Sequence, residues 1–321
     1  MPRLIRPAAL VAAVLVVLLM WGSGRVGAAD GEGGAAARSA QTAVAASVAC
    51  AAARAGDQEL DVDAGSGPRR IVVHVPKGGT PGPRPLVLGL GGAGQTARDF
   101  QRMTNYSTLA DHEGFVVVFA GGSGSRPFWN ISGALPGKPD DVAFLDAVLD
   151  RVERTVCVDT SRVYATGVSN GGGMTALLGC RLAGRLAAIA PVAGGYSAQP
   201  ACRPSRPLAV LEVHGAADGV VPYAGKGSSH AGSVPGYLAM WRTIDGCSKR
   251  ARLLGAQPPG VTEETWGGCV RGADVVHDVL AGEPHSWPKW TAARPYSTTW
   301  RTWTFFRGHA RAPADEPERG S

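Results

Sequence analysis

Three polar residues that lie far apart in the chain have the side chains that nucleophilic catalysis requires: Ser169, Asp218 and His285. A serine hydroxyl is a weak nucleophile near neutral pH and needs a base to accept its proton during attack. An imidazole can be that base because it titrates near the working pH. A carboxylate can hold the imidazole in the correct tautomer and stabilise the imidazolium that forms. Together the three residues predict an acyl-transfer site.

The serine lies in "TGVSNGGG" (166–173), with Gly167 two residues before it and Gly171 two residues after it. The chain contains 45 glycines, so such a match also arises by chance, and Ser169 could be an ordinary turn residue. In a strand–turn–helix elbow, a β-carbon at either glycine would clash with the neighbouring strand or helix. A helix beginning near Asn170 would direct free N–H groups toward developing negative charge.

The acid and the histidine have structural interpretations as well. Asp218 lies in "ADG", which is good turn chemistry, and could merely cap a turn. His285 lies between prolines and could be a half-buried packed residue. His214, which ends the apolar segment before Asp218, is expected to order the acid loop rather than to do chemistry. The context of the three residues therefore has to decide between these interpretations.

Short apolar segments rich in β-branched residues predict seven strands, at 69–76, 84–90, 115–120, 162–167, 186–194, 208–215 and 275–282. Between two of them, "DDVAFLDAVLDRV" (140–152) places apolar residues at helical spacing, with acids on the other side. Continuous apolar strands separated by helices are typical of a parallel sheet that is covered on both faces.

Ser169, Asp218 and His285 each follow a different predicted strand. Right-handed crossovers bring the C-terminal ends of parallel strands to one edge of the sheet, where ligands usually bind. The chain order serine, aspartate, histidine is the order expected of an α/β-hydrolase. The sequence therefore predicts the α/β class: an α/β-hydrolase fold with a mostly parallel central sheet and helices on both faces.

An acyl-transfer site also needs donors for the oxyanion. The backbone N–H of Asn170, the residue after the nucleophile, is the first candidate. The second should come from the loop after an early strand, and "VLGLGGAGQTARDF" (87–100) is glycine-rich at that place. Gly92 or Ala93 could supply this N–H, although the loop could equally be a plain flexible connection.

At these residues the chain resembles the secreted esterases grouped with polyhydroxybutyrate depolymerases, close to feruloyl and acetyl xylan esterases of carbohydrate esterase family one. The segments that carry the resemblance are "RVYATGVSNGGGMT", "VLEVHGAADGVVPY", "GEPHSWP", "DDVAFLDAVLDRV" and "WRTIDGC". They extend from about residue 69 to residue 306. The resemblance implies an α/β-hydrolase fold and places the family's catalytic residues on Ser169, Asp218 and His285.

The sequence departs from this family in the oxyanion loop, where relatives tend to have a His-Gly pair and this chain has Gly91-Gly92. Backbone donors survive that change, so activity is expected to persist. A Trp-Asn pair is common in the family, which makes Trp129 and Asn130 candidates for a wall that contacts a sugar or aromatic acyl group. Trp287 is a further candidate, and both tryptophans could equally be packed core residues.

The N-terminal segment has the layout of a secretory signal: two arginines, an apolar run from about residue 8 to 21, and small residues near Ala28. An uncleaved anchor is the alternative, but the run is shorter than the roughly 20 residues that span a bilayer. We predict a signal peptide at 1–29, a flexible lead-in at 30–48, one catalytic domain at 49–307 and a disordered tail at 308–321. The localisation is then extracellular.

The formal charge of +6 falls to +3 once Arg3, Arg6 and Arg25 leave with the signal. This modest charge, without basic clusters, argues against nucleic acid as a partner. No stable membrane association is expected after cleavage. The sequence has no CxxC or histidine-rich spacing, so neither a metal nor another cofactor is predicted.

Six cysteines in an exported chain favour disulfides, with 15 possible connectivities. Cys247 and Cys269 each lie beside turn-forming glycines and are the pair we predict. Closing a loop of about 20 residues stabilises the fold by roughly 3 kcal/mol. Cys50 has no assigned partner.

The sequence therefore predicts a secreted serine esterase that cleaves carboxylic esters through an acyl-enzyme. Its substrates would be feruloyl or acetyl esters of polysaccharide, or soluble hydroxyalkanoate oligomers. A non-enzymatic carbohydrate- or wall-binding protein with a disabled site is the alternative, supported only by the Gly91 departure. A peptidase on the same fold has no sequence feature in its favour.

Overall fold

A computed structural model describes residues 53–78, 82–132, 137–196, 201–225, 232–253 and 258–312. The strands in these residues are β1 Gly56–Val62, β2 Arg69–Val75, β3 Arg84–Leu90, β4 Val116–Ala120, β5 Val158–Val168, β6 Ala188–Val192, β7 Ala209–Gly215, β8 Arg252–Leu253, β9 Val261–Trp266 and β10 Val275–Leu280. The α-helices are α1 Ala97–Thr104, α2 Tyr106–Glu113, α3 Asp141–Thr155, α4 Asn170–Arg181, α5 Val234–Ile244 and α6 Thr298–Phe306. A short 3₁₀ helix covers Val270–Gly272.

The strands form one sheet in the order β1-β2-β4-β3-β5-β6-β7-β10-β9-β8. The six central strands, from β4 to β10, are parallel to their neighbours, whereas β1 and β2 at one edge and β9 and β8 at the other are antiparallel. All seven predicted strands are present, and the mostly parallel sheet is confirmed. Its parallel strands bring their carboxyl ends to one edge.

Apolar side chains of the sheet alternate between two cores. In β3, Leu86, Leu88 and Leu90 enter one core and Val87 enters the other, as the two-residue period of a strand requires. Side chains of α3, α4 and α5 complete the first core, and side chains of α1, α2 and α6 complete the second. The prediction of helices on both faces is therefore confirmed.

Helix α3 confirms the helix predicted from the spacing of apolar residues. Asp140 caps its N-terminus by accepting a hydrogen bond from Ala143 N at 3.0 Å. Phe144, Leu145, Val148, Leu149 and Val152 form its buried stripe. The helix packs beside α4, which follows the candidate nucleophile.

Two disulfides lie wholly within the described residues: Cys247–Cys269, which confirms the predicted pair, and Cys180–Cys202. Cys157 is also disulfide-bonded. Cys50 lies outside the described residues, as do the predicted signal peptide and lead-in. Closing each 22-residue separation stabilises the fold by roughly 3 kcal/mol in the chain-entropy account.

The chain stays packed on the domain beyond residue 307, where the tail is predicted to begin. Tyr164 donates from its hydroxyl to His309 O at 2.7 Å, and Arg311 N donates to Ser161 O at 2.7 Å. The ordered domain therefore extends to Arg311. Among the residues with described positions, no helix is long and apolar enough to cross a bilayer, and no group of His, Cys, Asp and Glu could hold a metal ion.

Asp245, at the end of α5, is fully buried. One carboxylate oxygen accepts from Leu208 N at 3.1 Å, and the other has no hydrogen-bond partner. Burial raises the pKa of Asp245 to about 7, although the Leu208 N–H opposes the shift. The folded protein therefore binds a proton that the unfolded chain releases above pH 4. This contribution to stability is complete at low pH and is lost as the pH rises through 7.

We expect Asp245→Asn to match the wild type near pH 4 and to raise the free energy of unfolding at pH 8. The gain is at most about 4 kcal/mol, because each pKa unit corresponds to about 1.4 kcal/mol. Asparagine keeps the acceptor for Leu208 and carries no charge. Thermal unfolding between pH 4 and pH 8 measures the difference, with the exposed Asp63→Asn as the control. A variant less stable than the wild type at pH 8 would contradict the assignment.

Candidate active site

Ser169 occupies the turn between β5 and α4. Its backbone has φ 59° and ψ −121°, a region that residues with a side chain rarely adopt. Its N–H donates to Val192 O at 3.0 Å, and its carbonyl accepts from Gly173 N at 2.9 Å. These bonds to β6 and α4 hold the strained conformation. The half-buried serine is thus fixed at the carboxyl edge of the sheet.

The glycines around the serine allow three backbone segments to meet. A β-carbon at Gly171 would lie 2.3 Å from Leu90 O and 2.5 Å from Gly91 O. A β-carbon at Gly167 would lie 2.6 Å from Gly171 O. The clash predicted for a side chain at either position is confirmed: Gly171 faces the end of β3, and Gly167 faces the start of α4.

Asp218 and His285 are hydrogen-bonded to each other, with 2.7 Å between His285 Nδ1 and Asp218 Oδ2. The other carboxylate oxygen of Asp218 accepts from Val220 N at 2.9 Å and from Val221 N at 2.8 Å. The Asp218 side chain is fully buried, whereas that of His285 is 18% exposed. Because Nδ1 donates to the carboxylate, Nε2 of His285 is free to accept a proton.

The loop that carries His285 packs closely on the end of β7. A β-carbon at Gly215 would lie 2.1 Å from Glu283 O, so only glycine permits this contact. Ala217 N donates to Glu283 O at 3.1 Å. The strands that precede the two loops, β7 and β10, are neighbours in the sheet. This adjacency explains why residues 67 positions apart meet.

Ser169 follows β5, which is separated from β7 by β6 alone. All three candidate residues therefore lie at the same edge of the sheet. The structure joins Asp218 and His285 by a hydrogen bond but gives none between the Ser169 hydroxyl and His285, both of which lie in the described part of the chain. Hydrogen bonds to catalytic groups are often long or poorly aligned before substrate binds.

The loop after β3 lies against the serine, since a β-carbon at Gly92 would be 3.4 Å from Ser169 Cβ. Gly92 N is already bonded to the side chain of Gln95, whose Oε1 accepts at 2.7 Å. Ala93, in contrast, is exposed. Neither its N–H nor that of Asn170 donates a hydrogen bond within the described residues. Of the two donors left open by the sequence, Ala93 is therefore available and Gly92 is not.

The prediction that Trp129 forms a substrate wall is wrong. Its side chain is fully buried, and its indole N–H donates to Gly91 O at 2.8 Å. Its backbone is held by the Asn170 side chain, which accepts from Trp129 N at 2.7 Å and donates to Trp129 O at 3.1 Å. The tryptophan joins the oxyanion loop to the start of α4.

Trp287 is likewise a core residue and not a wall. It is 4% exposed, its indole N–H donates to Thr299 at 3.0 Å, and its ring meets the edge of Phe100 at 5.4 Å. Trp287 belongs to the loop that carries His285. Its contacts with Phe100 and Tyr106 therefore attach that loop to the core.

Asn130 is half-buried, with its backbone N–H bonded to Asp141 at 2.7 Å and its side-chain amide 3.3 Å from Pro139 O. Asp141 in turn forms an ion pair with Arg69 at 2.5 Å. These contacts secure the loop before α3, and substrate binding by Asn130 stays a prediction.

Three exposed apolar residues that lie close to candidate site residues in the sequence were missed by the sequence analysis. Phe128, which precedes Trp129, is 55% exposed; Val220, which follows the acid, is 65% exposed; and Trp290, beyond His285, is 62% exposed. The sequence contains each of them beside a motif. Nothing in "PFWN" or "SWPKW" indicates which aromatic residue turns toward solvent.

A mostly parallel sheet with a strained serine between a strand and a helix defines an α/β-hydrolase. The structure of an acetyl xylan esterase from Aspergillus awamori has the same fold, with a TM-score of 0.59 and 15% identity, over 78% of this chain and 99% of that one. Residues 70–225 match the family Esterase PHB depolymerase. This segment, which contains Ser169 and Asp218, is similar to that family.

Two curated relatives support the same assignment. The chain is 33% identical over 222 residues to a bifunctional acetylxylan esterase/xylanase from Neocallimastix patriciarum, covering 68% of this chain and 31% of the relative. It is 28% identical over 233 residues to feruloyl esterase B from Piromyces equi, covering 68% and 42%. The chain thus spans less than half the length of these relatives. The resemblance drawn from the motifs is confirmed.

Proposed function

We propose that the protein is a carboxylic ester hydrolase that acts through an acyl-enzyme on Ser169. The observation that carries the proposal is the hydrogen bond between His285 and the buried Asp218, at the sheet edge that also holds the strained serine. A buried carboxylate that orients a solvent-accessible imidazole is the arrangement a serine nucleophile needs. The related esterases point to the same reaction.

In the proposed reaction, Ser169 Oγ attacks the ester carbonyl while His285 Nε2 accepts the hydroxyl proton. The N–H groups of Asn170 and Ala93 donate to the oxyanion of the tetrahedral intermediate. When the intermediate collapses, His285 gives its proton to the departing alcohol. Water then attacks the acyl-enzyme with His285 again as the base. When the second tetrahedral intermediate collapses, His285 returns the proton to Ser169 Oγ and the carboxylic acid leaves. Asp218 stays ionised and stabilises the imidazolium throughout.

The substrate class is proposed to be esters with an aromatic or otherwise apolar acyl group. The exposed residues Phe128, Val220 and Trp290 each belong to a loop that also carries or supports a site residue. Phe128 directly precedes Trp129, whose backbone N–H donates to the Asn170 side chain. Relatives named feruloyl esterase and acetylxylan esterase favour polysaccharide esters over hydroxyalkanoate oligomers.

Export is part of the proposal. The predicted signal at 1–29 lies outside the described residues, but the disulfides suit an oxidising compartment. Comparing the processed chain recovered from the medium with the chain retained in cells would test this assignment.

An ester panel and a fluorophosphonate probe test the proposed function. We expect covalent labelling of Ser169 in the folded wild type, and release of ferulate or acetate from their esters but not cleavage of the matching peptide amide. Faster release of hydroxybutyrate than of ferulate would change the substrate class. A folded protein that neither reacts with the probe nor cleaves any ester would favour the binding protein, and cleavage of the amide would favour a peptidase.

Phe128→Ala is expected to raise KM for feruloyl esters by about tenfold and to leave acetyl esters within about twofold. Removing a contact made equally in the ground and transition states changes KM rather than kcat. The buried neighbour provides a matched control: Trp129→Phe should lower stability and affect both esters equally. Equal effects of Phe128→Ala on the two esters would contradict a role in acyl recognition.

A further inference from the structure

Behind Asp218 lies a buried group of ionisable residues that the proposed reaction does not use. Glu212 and His214 on β7 and His277 on β10 have side chains with no exposed surface. Glu212 Oε1 accepts from the Tyr196 hydroxyl at 2.7 Å and contacts His214 Nδ1 at 2.9 Å. Buried charges are costly unless they are paired, so this cluster requires an explanation.

Both ring nitrogens of His214 face acceptors. Nδ1 faces the Glu212 carboxylate, and Nε2 lies 2.9 Å from Val221 O and 3.4 Å from Asp218 Oδ2. A carbonyl oxygen can only accept, and a neutral imidazole has a single N–H. With Glu212 ionised, both ring nitrogens can be satisfied only by the imidazolium form.

The electrostatics of the cluster agree with this protonation state. Burial raises the pKa of Glu212, but the hydrogen bond from His214 and the charge of His277 outweigh it and lower the pKa to about 2. Burial lowers the pKa of His214, yet the Glu212 carboxylate reverses the effect and the net shift is upward. The proton shared by this pair accordingly stays on the imidazole.

His277 differs from His214 in one useful respect. Its Nδ1 lies 2.7 Å from Glu212 Oε2 and donates to Glu212 O at 3.2 Å, while its Nε2 lies 3.0 Å from the Tyr223 hydroxyl. A hydroxyl can donate or accept, so the Tyr223 contact alone does not require a second proton on His277. Burial lowers the pKa of His277, but the Glu212 carboxylate outweighs it and raises that pKa. His277 therefore shares the charged character of His214 and differs from it in its distance from Asp218. Both His277 and Asp218 belong to the described residues, and no contact joins them.

We propose that His214 is a positioning residue: a buried imidazolium that fixes the Asp218 loop through Val221 and places a positive charge against Asp218 Oδ2. That oxygen is the one bonded to His285 Nδ1. His214 and a proton-bearing His285 therefore compete for the same carboxylate oxygen of Asp218. The inference rests on the proposed function and adds a determinant of its working pH.

The groups that face this imidazolium are few. Glu212 and Asp218 are the charged ones, and the Tyr223 ring lies edge-on at 6.0 Å. Around Glu212 lie the neighbouring groups from the other elements: His277, Tyr196 and Tyr237. Both tyrosines have a pKa well above the ordinary value because they are buried beside the carboxylate, so neither changes its charge in the working range.

His214→Gln tests the proposal because it keeps a donor and removes the charge. We expect the acid limb of the kcat/KM profile to move upward by about one pH unit, since a unit charge close to the Asp218–His285 pair is lost. We also expect kcat to fall about tenfold with KM little changed, because the Asp218 loop is held less firmly. A merely structural histidine would lower the amount of folded enzyme without moving the limb.

His277→Gln is the matched control, since it removes a similar contact with Glu212 and leaves Asp218 untouched. Its acid limb should coincide with that of the wild type. If His214→Gln does not fold, Glu212→Gln should move the limb in the same direction by neutralising His214. An unmoved limb in a folded His214→Gln would overturn the proposal.

Nuclear magnetic resonance of the ring nitrogens of the wild type gives a readout that does not need activity. Protonation of both His214 nitrogens at pH 8 is expected, and a neutral ring at that pH would overturn the inference. The measurement remains valid if the protein cleaves no ester, so failure of the proposed function and failure of this inference can be told apart.

Discussion

Ser169→Ala should abolish ester hydrolysis, with kcat lowered by about 10⁴ to 10⁶ and the fold intact. Loss of the nucleophile in a Ser-His-Asp site typically costs this much, because the remaining groups cannot form the acyl-enzyme. The alanine removes only the hydroxyl, which makes no hydrogen bond to the described residues. Thermal stability should therefore stay close to that of the wild type, and fluorophosphonate labelling should disappear.

Ser161→Ala is the control on the same strand. Ser161 lies toward the opposite end of β5, and its hydroxyl donates to Asp159 at 2.6 Å. It should keep full activity and full labelling. Residual hydrolysis above one per cent in a folded Ser169→Ala would mean that another group is the nucleophile, and the proposed mechanism would then be wrong.

The sequence predicts the central strands because they are continuous apolar runs, and it misses the strands at the sheet edges. β1 alternates half-buried and exposed residues, β9 contains "TEET", and β8 has two exposed residues. Edge strands bury little, so their sequences carry no strong apolar signal. Their pairing depends on neighbours that only the folded chain supplies.

The residues of the candidate site also divide into those that the sequence predicts and those that it misses. The placement of Ser169, Asp218 and His285 at one edge of the sheet is predictable, because the proposed chemistry imposes residue type, order and flanking glycines. The aromatic neighbours are not, because a tryptophan beside a motif satisfies packing and ligand binding equally well. Trp129 is buried and the adjacent Phe128 is exposed, a choice made by the hydrogen bonds of the Trp129 backbone and indole. The charge of His214 also depends on Glu212 and Val221 lying on either side of its ring.

Gly171→Ala is expected to damage both the fold and the chemistry, although the change adds one methyl group. The new β-carbon would lie 2.3 Å from Leu90 O and 2.5 Å from Gly91 O, and both are backbone atoms that cannot rotate away. Either α4 or the end of β3 must move. Overpacking of this kind typically costs about 1–3 kcal/mol of stability.

The displacement would also separate the two proposed oxyanion donors, since Asn170 begins α4 and Ala93 follows β3. A misplacement of about 1 Å can cost about 10² in rate, so kcat/KM per folded enzyme should fall by at least that factor. Titration with the fluorophosphonate probe counts competent sites, and thermal unfolding measures the loss of stability.

The control is Gly219→Ala, beside the acid, where a β-carbon would meet no atom within 4 Å. Gly219 lies in the same site, so Gly219→Ala should keep normal activity. A loss of activity in Gly171→Ala alone would then be due to the contact between α4 and β3. Unchanged kinetics in Gly171→Ala would show that this contact does not set the geometry of the nucleophile.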